Sequence, residues 1–139
     1  MVGTNEEQLA LEFLRRCEGE QQDVDGLTAL MADNIVWQIN VPSWRARIGP
    51  EAARVELERQ NTLSTGILPG SEIRHVASND RAVFVERVDV FRMGDKTMTL
   101  HINAVLDVEN DKIVGWREYY DSVDLAKQLG VDATVVVEK

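Results

Sequence analysis

The sequence predicts an α+β fold in which a strongly bent, antiparallel or mixed sheet wraps around N-terminal helices and leaves a deep pocket between them. Two observations support this class. Helical patterns fill most of residues 4–61, whereas segments with strand alternation dominate residues 72–120. In the longest of these segments, residues 97–108, apolar and polar residues alternate, which is typical of a sheet with one dry side.

Helical signals recur at both ends of the chain. Thr4 and Glu7 have the spacing of a capping box, and the helix they open is expected to run to about residue 20. Pro50 suits the first turn of another helix, and Gly130 is a typical stop for the last one. The other helices are therefore expected over residues 27–31, 50–61 and 122–129.

Strand segments are rich in β-branched and aromatic residues and are separated by clusters that favour turns. Pro42 ends the first strand, because proline cannot donate a ladder hydrogen bond. Strands are expected over residues 35–41, 72–77, 82–92, 97–108 and 112–120, with hairpin turns at 78–80, 93–95 and 109–111.

Length and charge restrict the class of protein. A chain of 139 residues with 44% hydrophobic residues is the size of a single domain, expected over residues 1–139, whose core can enclose a small-ligand cavity. The net charge of −9 argues against nucleic acid or an anionic membrane surface as a partner. No apolar run is long enough to span a bilayer, and the first residues do not form a signal peptide, so the expected location is the cytoplasm.

Charged residues interrupt the third expected strand, at residues 82–92. Alternate residues share a face, so Arg87 and Asp89 point the same way as three apolar neighbours, Val83, Val85 and Phe91. In the alternative, Glu86, Asp89 and Arg92 form solvated surface pairs, and the opposite face supplies the core through Phe84, Val88 and Val90. Alternation alone does not choose, because both faces contain large apolar residues.

Glu118 presents the same choice in the segment 114–120. Either it faces the core with Trp116 and Tyr120, or Arg117 and Tyr119 do. If both segments turn their acids inward, one pocket holds two carboxyl groups with an arginine between them. An apolar pocket raises the pKa of a carboxylic acid and an arginine lowers it, so the two acids can take different protonation states.

Other catalytic arrangements lack support. Cys17 cannot form an intrachain disulfide and, inside a helical pattern, is expected in the core. His75 and His101 have no serine or cysteine at a suitable spacing. The sequence contains no H-E-x-x-H or C-x-x-C motif and no glycine-rich phosphate loop, so we expect neither a metal nor a nucleotide cofactor. The tryptophans are expected in the core or pocket wall: Trp37, Trp44 and Trp116.

The segments 86–90 and 115–121 together resemble the limonene-1,2-epoxide hydrolase family, which belongs with nuclear transport factor 2 (NTF2-like), SnoaL-like proteins and ketosteroid isomerase to the cone-shaped α+β folds. In that family an Asp-Arg-Asp set opens an epoxide in one step. The resemblance implies that Asp89 is the acid, Arg87 the bridging arginine and Glu118 the base, where the family pattern has aspartate.

The family holds its water with a tyrosine and an asparagine two residues apart, and two alignments of this chain are open. If Pro42 is the anchor, Asn40 takes the asparagine position and Gln38 the tyrosine position. If the aromatic residue is the anchor, Trp37 takes the tyrosine position and Ile39 the asparagine position. A tryptophan donates one hydrogen bond and accepts none, so it cannot hold a water as tyrosine does.

The resemblance implies a cofactor-independent epoxide hydrolase with a small, uncharged, terpene-like or cycloalkane-like substrate. Its pocket wall is expected to comprise Phe91, Leu100, Ile102, Trp116, Tyr120 and Leu125. An isomerase or cyclase of the same fold, and a non-catalytic small-molecule-binding dimer, are the alternatives. The resemblance also implies a homodimer formed through the outer sheet face, with Thr99, His101 and Asn103 as contributors.

Overall fold

The computed structural model of this protein describes residues 3–42 and 45–133. Within these residues there are four helices and six strands. The helices are α1 (Asn5–Arg15), α2 (Val24–Ala29), α3 (Pro50–Leu63) and α4 (Ser122–Leu129). The strands are β1 (Met31–Gln38), β2 (Arg47–Ile48), β3 (Glu72–Ser78), β4 (Ala82–Met93), β5 (Lys96–Glu109) and β6 (Lys112–Tyr120).

The strands form one mixed sheet in the order β2-β1-β6-β5-β4-β3. Neighbouring strands are antiparallel except for β1 and β6, which run parallel. The predicted α+β class with a mixed sheet and helices is confirmed. None of the helices in the described parts of the chain is long and apolar enough to cross a membrane.

Two helices differ by three residues or more from the expected bounds, because hydrogen bonds outside the helical pattern determine where they end or begin. The first helix ends at Arg15 rather than near residue 20. Beyond it, Gly19 N–H donates to the Ile67 carbonyl at 2.8 Å, and Ile67 N–H donates to the Cys17 carbonyl at 2.9 Å, which ties the chain to a distant loop. The second helix begins earlier than expected, because the Asp23 side chain accepts from Gly26 N–H and caps it.

The first strand is shifted toward the N-terminus relative to the prediction. It spans residues 31–38 instead of 35–41, since Met31 already pairs with Ile113 of β6. The short strand β2 pairs with β1 through Val36 and Ile48, in a segment that was expected to be loop. A two-residue strand has no recognisable alternation, so its formation depends on the partner strand rather than on its own sequence.

The core lies between the helices and one face of the sheet. Helix α1 contributes Ala10, Phe13 and Leu14, which are buried against residues of the central strands. Phe13 meets the ring of Trp116 edge-on, with 4.8 Å between the ring centroids. Cys17 is buried in the same cluster, as expected.

Burial decides which face of each charged strand turns inward. In β4, Val83 and Val85 are fully buried, whereas Phe84 on the other face is 45% exposed. In β6, Trp116 is buried, whereas Tyr119 is 41% exposed. The structure therefore selects the interpretation in which Arg87, Asp89 and Glu118 face the helices.

Candidate active site

Three adjacent strands place the charged residues on one face of the sheet. Arg87 of β4 lies opposite Ile102 of β5, and Glu118 of β6 lies opposite Ala104, two residues further along β5. The arginine therefore reaches diagonally across β5 to Glu118. Asp89 is two residues from Arg87 on the same strand, so strand alternation returns it to the same face.

Arg87 binds both carboxyl groups. Its Nε donates to Asp89 Oδ1 at 2.9 Å and to Oδ2 at 3.1 Å. Its Nη2 donates to Glu118 Oε2 in a short contact. The three side chains are only 5%, 9% and 12% exposed for Arg87, Asp89 and Glu118, so water screens their interactions weakly. One guanidinium thus fixes the positions of two acids inside the fold.

Burial and neighbouring charges shift the pKa values of Asp89 and Arg87. Burial raises the pKa of the Asp89 carboxyl, although the charge and hydrogen bonds of Arg87 oppose the shift. Burial by itself lowers the pKa of Arg87, but attraction to Glu118 and Asp89 outweighs it and raises that pKa. The arginine therefore stays charged, while Asp89 is biased toward the neutral acid that can donate a proton.

A cavity of about 170 Å³ lies over the trio, between the sheet, α3 and the loop that follows α3. All three charged residues line it. The six residues expected in the pocket wall also line it: Phe91, Leu100, Ile102, Trp116, Tyr120 and Leu125. The acid, the arginine and the second carboxyl group therefore share a space with mostly apolar walls.

The register of β1 against β6 determines which of the residues considered for holding the water face the cavity. Trp37 pairs with Trp116 and Gln38 pairs with Arg117, so Trp37 shares the face of the trio and Gln38 does not. Trp37 and Ile39 line the cavity, whereas Gln38 and Asn40 are not among its lining residues. Parallel pairing with β6 thus favours Trp37 over Gln38 as a residue of the cavity wall, and the water-holding roles of Trp37, Gln38 and Asn40 stay predictions.

Two tryptophans form one wall of the cavity. Trp37 and Trp116 stack with 4.1 Å between ring centroids and 4° between ring planes. Their in-register positions on neighbouring parallel strands explain the stacking. Trp44, also expected in the core or pocket wall, lies outside the described residues.

Several lining residues were not predicted. They come from the turn after α1, from α3 and from the loop after α3: Cys17, Gln22, Gln60, Ser64, Thr65, Gly66 and Ile67. Burial raises the pKa of the Cys17 thiol, which keeps it protonated. The sequence of these segments has no periodicity from which the direction of a side chain could be predicted. The tertiary contacts of the loop with Cys17 and Gly19 bring them to the cavity. Among the described residues, no group of three His, Cys, Asp or Glu side chains is arranged to hold a metal.

The fold places this protein in the class of NTF2-like and SnoaL-like α+β proteins. An LEH-like epoxide hydrolase of Mycobacterium tuberculosis superposes with a TM-score of 0.74 at 24% identity, over 90% of this chain and 89% of that one. A putative SnoaL-like polyketide cyclase from Shewanella denitrificans superposes with a TM-score of 0.77 at 15% identity, over 90% and 96% of the two chains. At these identities the likeness establishes the fold.

Sequence comparison defines the family within this class. Residues 13–130 match the limonene-1,2-epoxide hydrolase catalytic domain. Epoxide hydrolase EphG of Mycobacterium tuberculosis is 29% identical over 119 residues, which are 84% of this chain and 76% of that protein. The chain belongs to the limonene-1,2-epoxide hydrolase family, and the resemblance carried by its two charged segments is confirmed.

Proposed function

We propose that this protein is an epoxide hydrolase that adds water in one step to a small, largely apolar epoxide and releases a vicinal diol. The observation that carries the proposal is the buried Arg87, which binds Asp89 and Glu118 at the floor of a mostly apolar cavity. Membership of the limonene-1,2-epoxide hydrolase family supports the same reaction. The cavity favours an uncharged substrate of terpene-like or cycloalkane-like size.

The reaction uses the two acids in opposite roles. Glu118, as the carboxylate, takes a proton from water while the water oxygen forms a bond to one epoxide carbon. Asp89, as the neutral acid, gives its proton to the epoxide oxygen while the bond from that oxygen to the attacked carbon breaks. Each role contributes on the order of 10²–10⁴ in rate. The proton gained at Glu118 and the one lost from Asp89 balance, and exchange with solvent restores both groups.

Arg87 keeps the acid and the base in position. Its Nε and Nη2 point to different carboxyl groups, so the same planar group sets both orientations. A positive charge between them also stabilises the carboxylate that Asp89 becomes after proton transfer. Since the chain supplies acid, base and bridging charge, the proposed reaction uses no cofactor.

The base is one methylene longer than the aspartate of the family pattern. In this structure the longer side chain still reaches Arg87, because Glu118 Oε2 accepts directly from Nη2. The proposal therefore keeps Glu118 as the base. Of the residues considered for holding the water, Trp37 and Ile39 line the cavity. The water-holding roles of Trp37, Gln38 and Asn40 stay predictions.

Incubation with limonene-1,2-oxide or cyclohexene oxide in ¹⁸O-enriched water tests the reaction class. A diol that contains one solvent oxygen supports hydrolysis. A rearranged product without label would instead indicate an isomerase, which needs only one carboxylate as base. Binding without any product would indicate a small-molecule-binding module and contradict the proposal.

We also propose that the protein is a homodimer formed through the outer sheet face. That face exposes Phe84 and Tyr119 together with the polar residues Thr99, His101 and Asn103. Exposed aromatic residues are enriched in protein interfaces. Light scattering after gel filtration should give twice the mass of 15.7 kDa, and Phe84→Glu should reduce it to that of one chain. The single domain over residues 1–139 and the cytoplasmic location stay predictions.

A further inference from the structure

A second cavity adjoins the one over the trio, which is called the main cavity below. The second cavity has a volume of about 380 Å³ and lies between α1, the loop after α3 and the edge strand β3. Leu11 and Leu14 of α1 form one wall, and Ile73 of β3 lies at the other side. This volume is many times the ~30 Å³ that a water molecule occupies in the liquid.

The second cavity reaches solvent at its outer end. Ile73 lies opposite Arg87 in the pairing of β3 with β4, so it shares the inward face of the sheet, yet it is 49% exposed. Arg15 and Glu72, which also line the second cavity, are exposed as well. Helix α1 therefore leaves the inner face of β3 open at Ile73, and water can enter beside it.

The ion pair of Arg87 and Asp89 lies at the boundary between the two cavities. Three of the described residues line both of them: Ile67, Arg87 and Asp89. Glu118, in contrast, lines the main cavity and not the second one. The proposed acid thus borders two spaces, whereas the proposed base borders the one that takes the substrate.

Each turnover of the proposed reaction leaves both acids in the wrong protonation state for the next one. Asp89 has lost a proton and Glu118 has gained one. Arg87 binds both carboxyl groups but cannot pass the proton across, because a guanidinium stays protonated in proteins. Asp89 must therefore take its new proton from water, and the diol occupies the main cavity until it leaves.

We propose that the second cavity is a water-filled passage through which solvent returns the proton to Asp89 while the main cavity still holds the product. A water molecule in the passage gives a proton to the Asp89 carboxylate. Glu118 releases its proton to water in the main cavity, and in solvent this proton neutralises the hydroxide left by the first step. The inference rests on the proposed epoxide hydrolysis and adds the route by which its acid is restored.

Comparing the first turnover with later ones separates proton return from the chemical step. Asp89 is already protonated when the first turnover begins, so a blocked passage should affect only the later ones. Ile73→Cys is made in a Cys17→Ala background, which has no other thiol, and is treated with benzyl methanethiosulfonate to fill the outer end of the passage. With limonene-1,2-oxide, kcat should fall several-fold relative to the untreated variant. The rate constant of the first turnover, measured by rapid quench with enzyme in excess, should stay unchanged.

Two matched controls show whether the block itself is responsible. Methyl methanethiosulfonate adds a group too small to fill the opening at residue 73, and should leave kcat unchanged. Val76→Cys carries the benzyl group on the same face of β3, because Val76 lies opposite the inward-facing Val85. Val76 is 37% exposed but is not among the residues that line the second cavity, so its adduct should also keep kcat.

Leu11→Trp fills the passage from the side of α1 without a reagent and should give the same pattern as the benzyl adduct. Unchanged kcat in both blocked proteins would overturn the inference, since Asp89 would then regain its proton through the main cavity. An equal fall in kcat and in the first turnover would also overturn it, because the block would be disturbing the chemical step. Absence of diol from the untreated protein would instead contradict the proposed hydrolysis, on which the passage depends.

Discussion

Asp89 and Glu118 bind the same guanidinium through different nitrogen atoms, so their roles depend on small differences in their surroundings. Asp89 accepts from Arg87 Nε through both of its oxygens and lies against Leu100 and Phe91 in the cavity wall. Burial raises its pKa despite the adjacent positive charge. At the scale of single residues, the raised pKa supports the proposed role of Asp89 as the acid, which leaves Glu118 as the proposed base.

Asp89→Asn should abolish diol formation, because an amide cannot supply the proton that the epoxide oxygen needs. We expect kcat to fall by at least about 10²-fold. The fold should persist, since the amide oxygen can still accept from Arg87 Nε. Asp107→Asn is the matched control, because Asp107 pairs with Arg117 away from the cavity. Wild-type turnover in Asp89→Asn would remove Asp89 from the mechanism.

Glu118 can be tested by two substitutions of different severity. Glu118→Gln keeps the length of the side chain but removes the base, and should reduce kcat by about 10²-fold or more. Glu118→Asp keeps the carboxylate but withdraws it from Arg87 Nη2 by roughly an ångström, which can cost about 10²-fold unless the backbone adjusts. In steady-state kinetics, the kcat of Glu118→Gln should therefore be equal to or lower than the kcat of Glu118→Asp. The reverse order would show that Glu118 acts through its position rather than as a base.

The raised pKa of Asp89 also predicts how stability depends on pH. Between the ordinary and the raised pKa, the folded state holds a proton that the unfolded state has lost. The free energy of unfolding therefore falls as pH rises through this window. Urea unfolding at several pH values should show Asp89→Asn gaining stability relative to the wild type as pH increases, with the gain levelling off above the raised pKa. A difference that is constant with pH, or that shrinks, would contradict the assigned direction.

At the scale of secondary-structure elements, the site depends on how strands are paired. The alternation of residues along a strand predicted which side chains share a face of the sheet. Strand β5 confirms this prediction, because its five alternating apolar residues are all buried: Met98, Leu100, Ile102, Ala104 and Leu106. Parity could not choose the inward face of β4, because Phe84, Val88 and Val90 make the outer face apolar as well. The inward face of β4 is determined by the helices, because they cover only one face of the sheet.

The parallel pairing of β1 with β6 determines which residues of β1 face the cavity. The sequence left two alignments of the water-holding residues open, because spacing from Pro42 or from Trp37 is local information. The register Trp37 with Trp116 is set by contacts about 80 residues apart in the chain. No local pattern reports such a register, and the stacked indoles become visible only when both strands are placed.

The loop after α3 can close the cavity only because it packs closely against the end of α1. A Cβ atom at residue 66 would collide with the backbone carbonyl oxygen of Cys17. Gly66→Ala should therefore destabilise the fold by about 1–3 kcal/mol, because backbone must move. Gly94→Ala is the comparison: nothing lies near its Cβ position, and only its positive φ of 62° opposes the substitution.

Urea unfolding should give a larger loss for Gly66→Ala than for Gly94→Ala, for which about 1 kcal/mol is expected from the left-handed backbone alone. The Gly66 variant should also raise KM, since Thr65, Gly66 and Ile67 line the cavity. Equal stability losses with an unchanged KM would show that the loop does not depend on this close approach.

At the scale of the whole molecule, sequence and structure agree on the class and, apart from the short strand β2, on the order of elements. The boundaries of β4, β5, β6 and α4 lie within one or two residues of those expected, because long alternating segments and a clear helix stop determine them. The sequence also named the three charged residues and the six apolar wall residues that the structure brings to one cavity. What it could not provide was the part of the wall made by the α1 turn, α3 and the following loop.

A first-turnover experiment with enzyme in excess over limonene-1,2-oxide in ¹⁸O-enriched water tests the central claim most directly. If Glu118 activates water for direct attack while Arg87 and Asp89 assist, the diol formed in this first turnover contains one solvent oxygen. If a carboxylate instead attacked the epoxide, the first diol would contain an unlabelled oxygen from the protein. That result would contradict the one-step mechanism proposed for the Arg87, Asp89 and Glu118 trio.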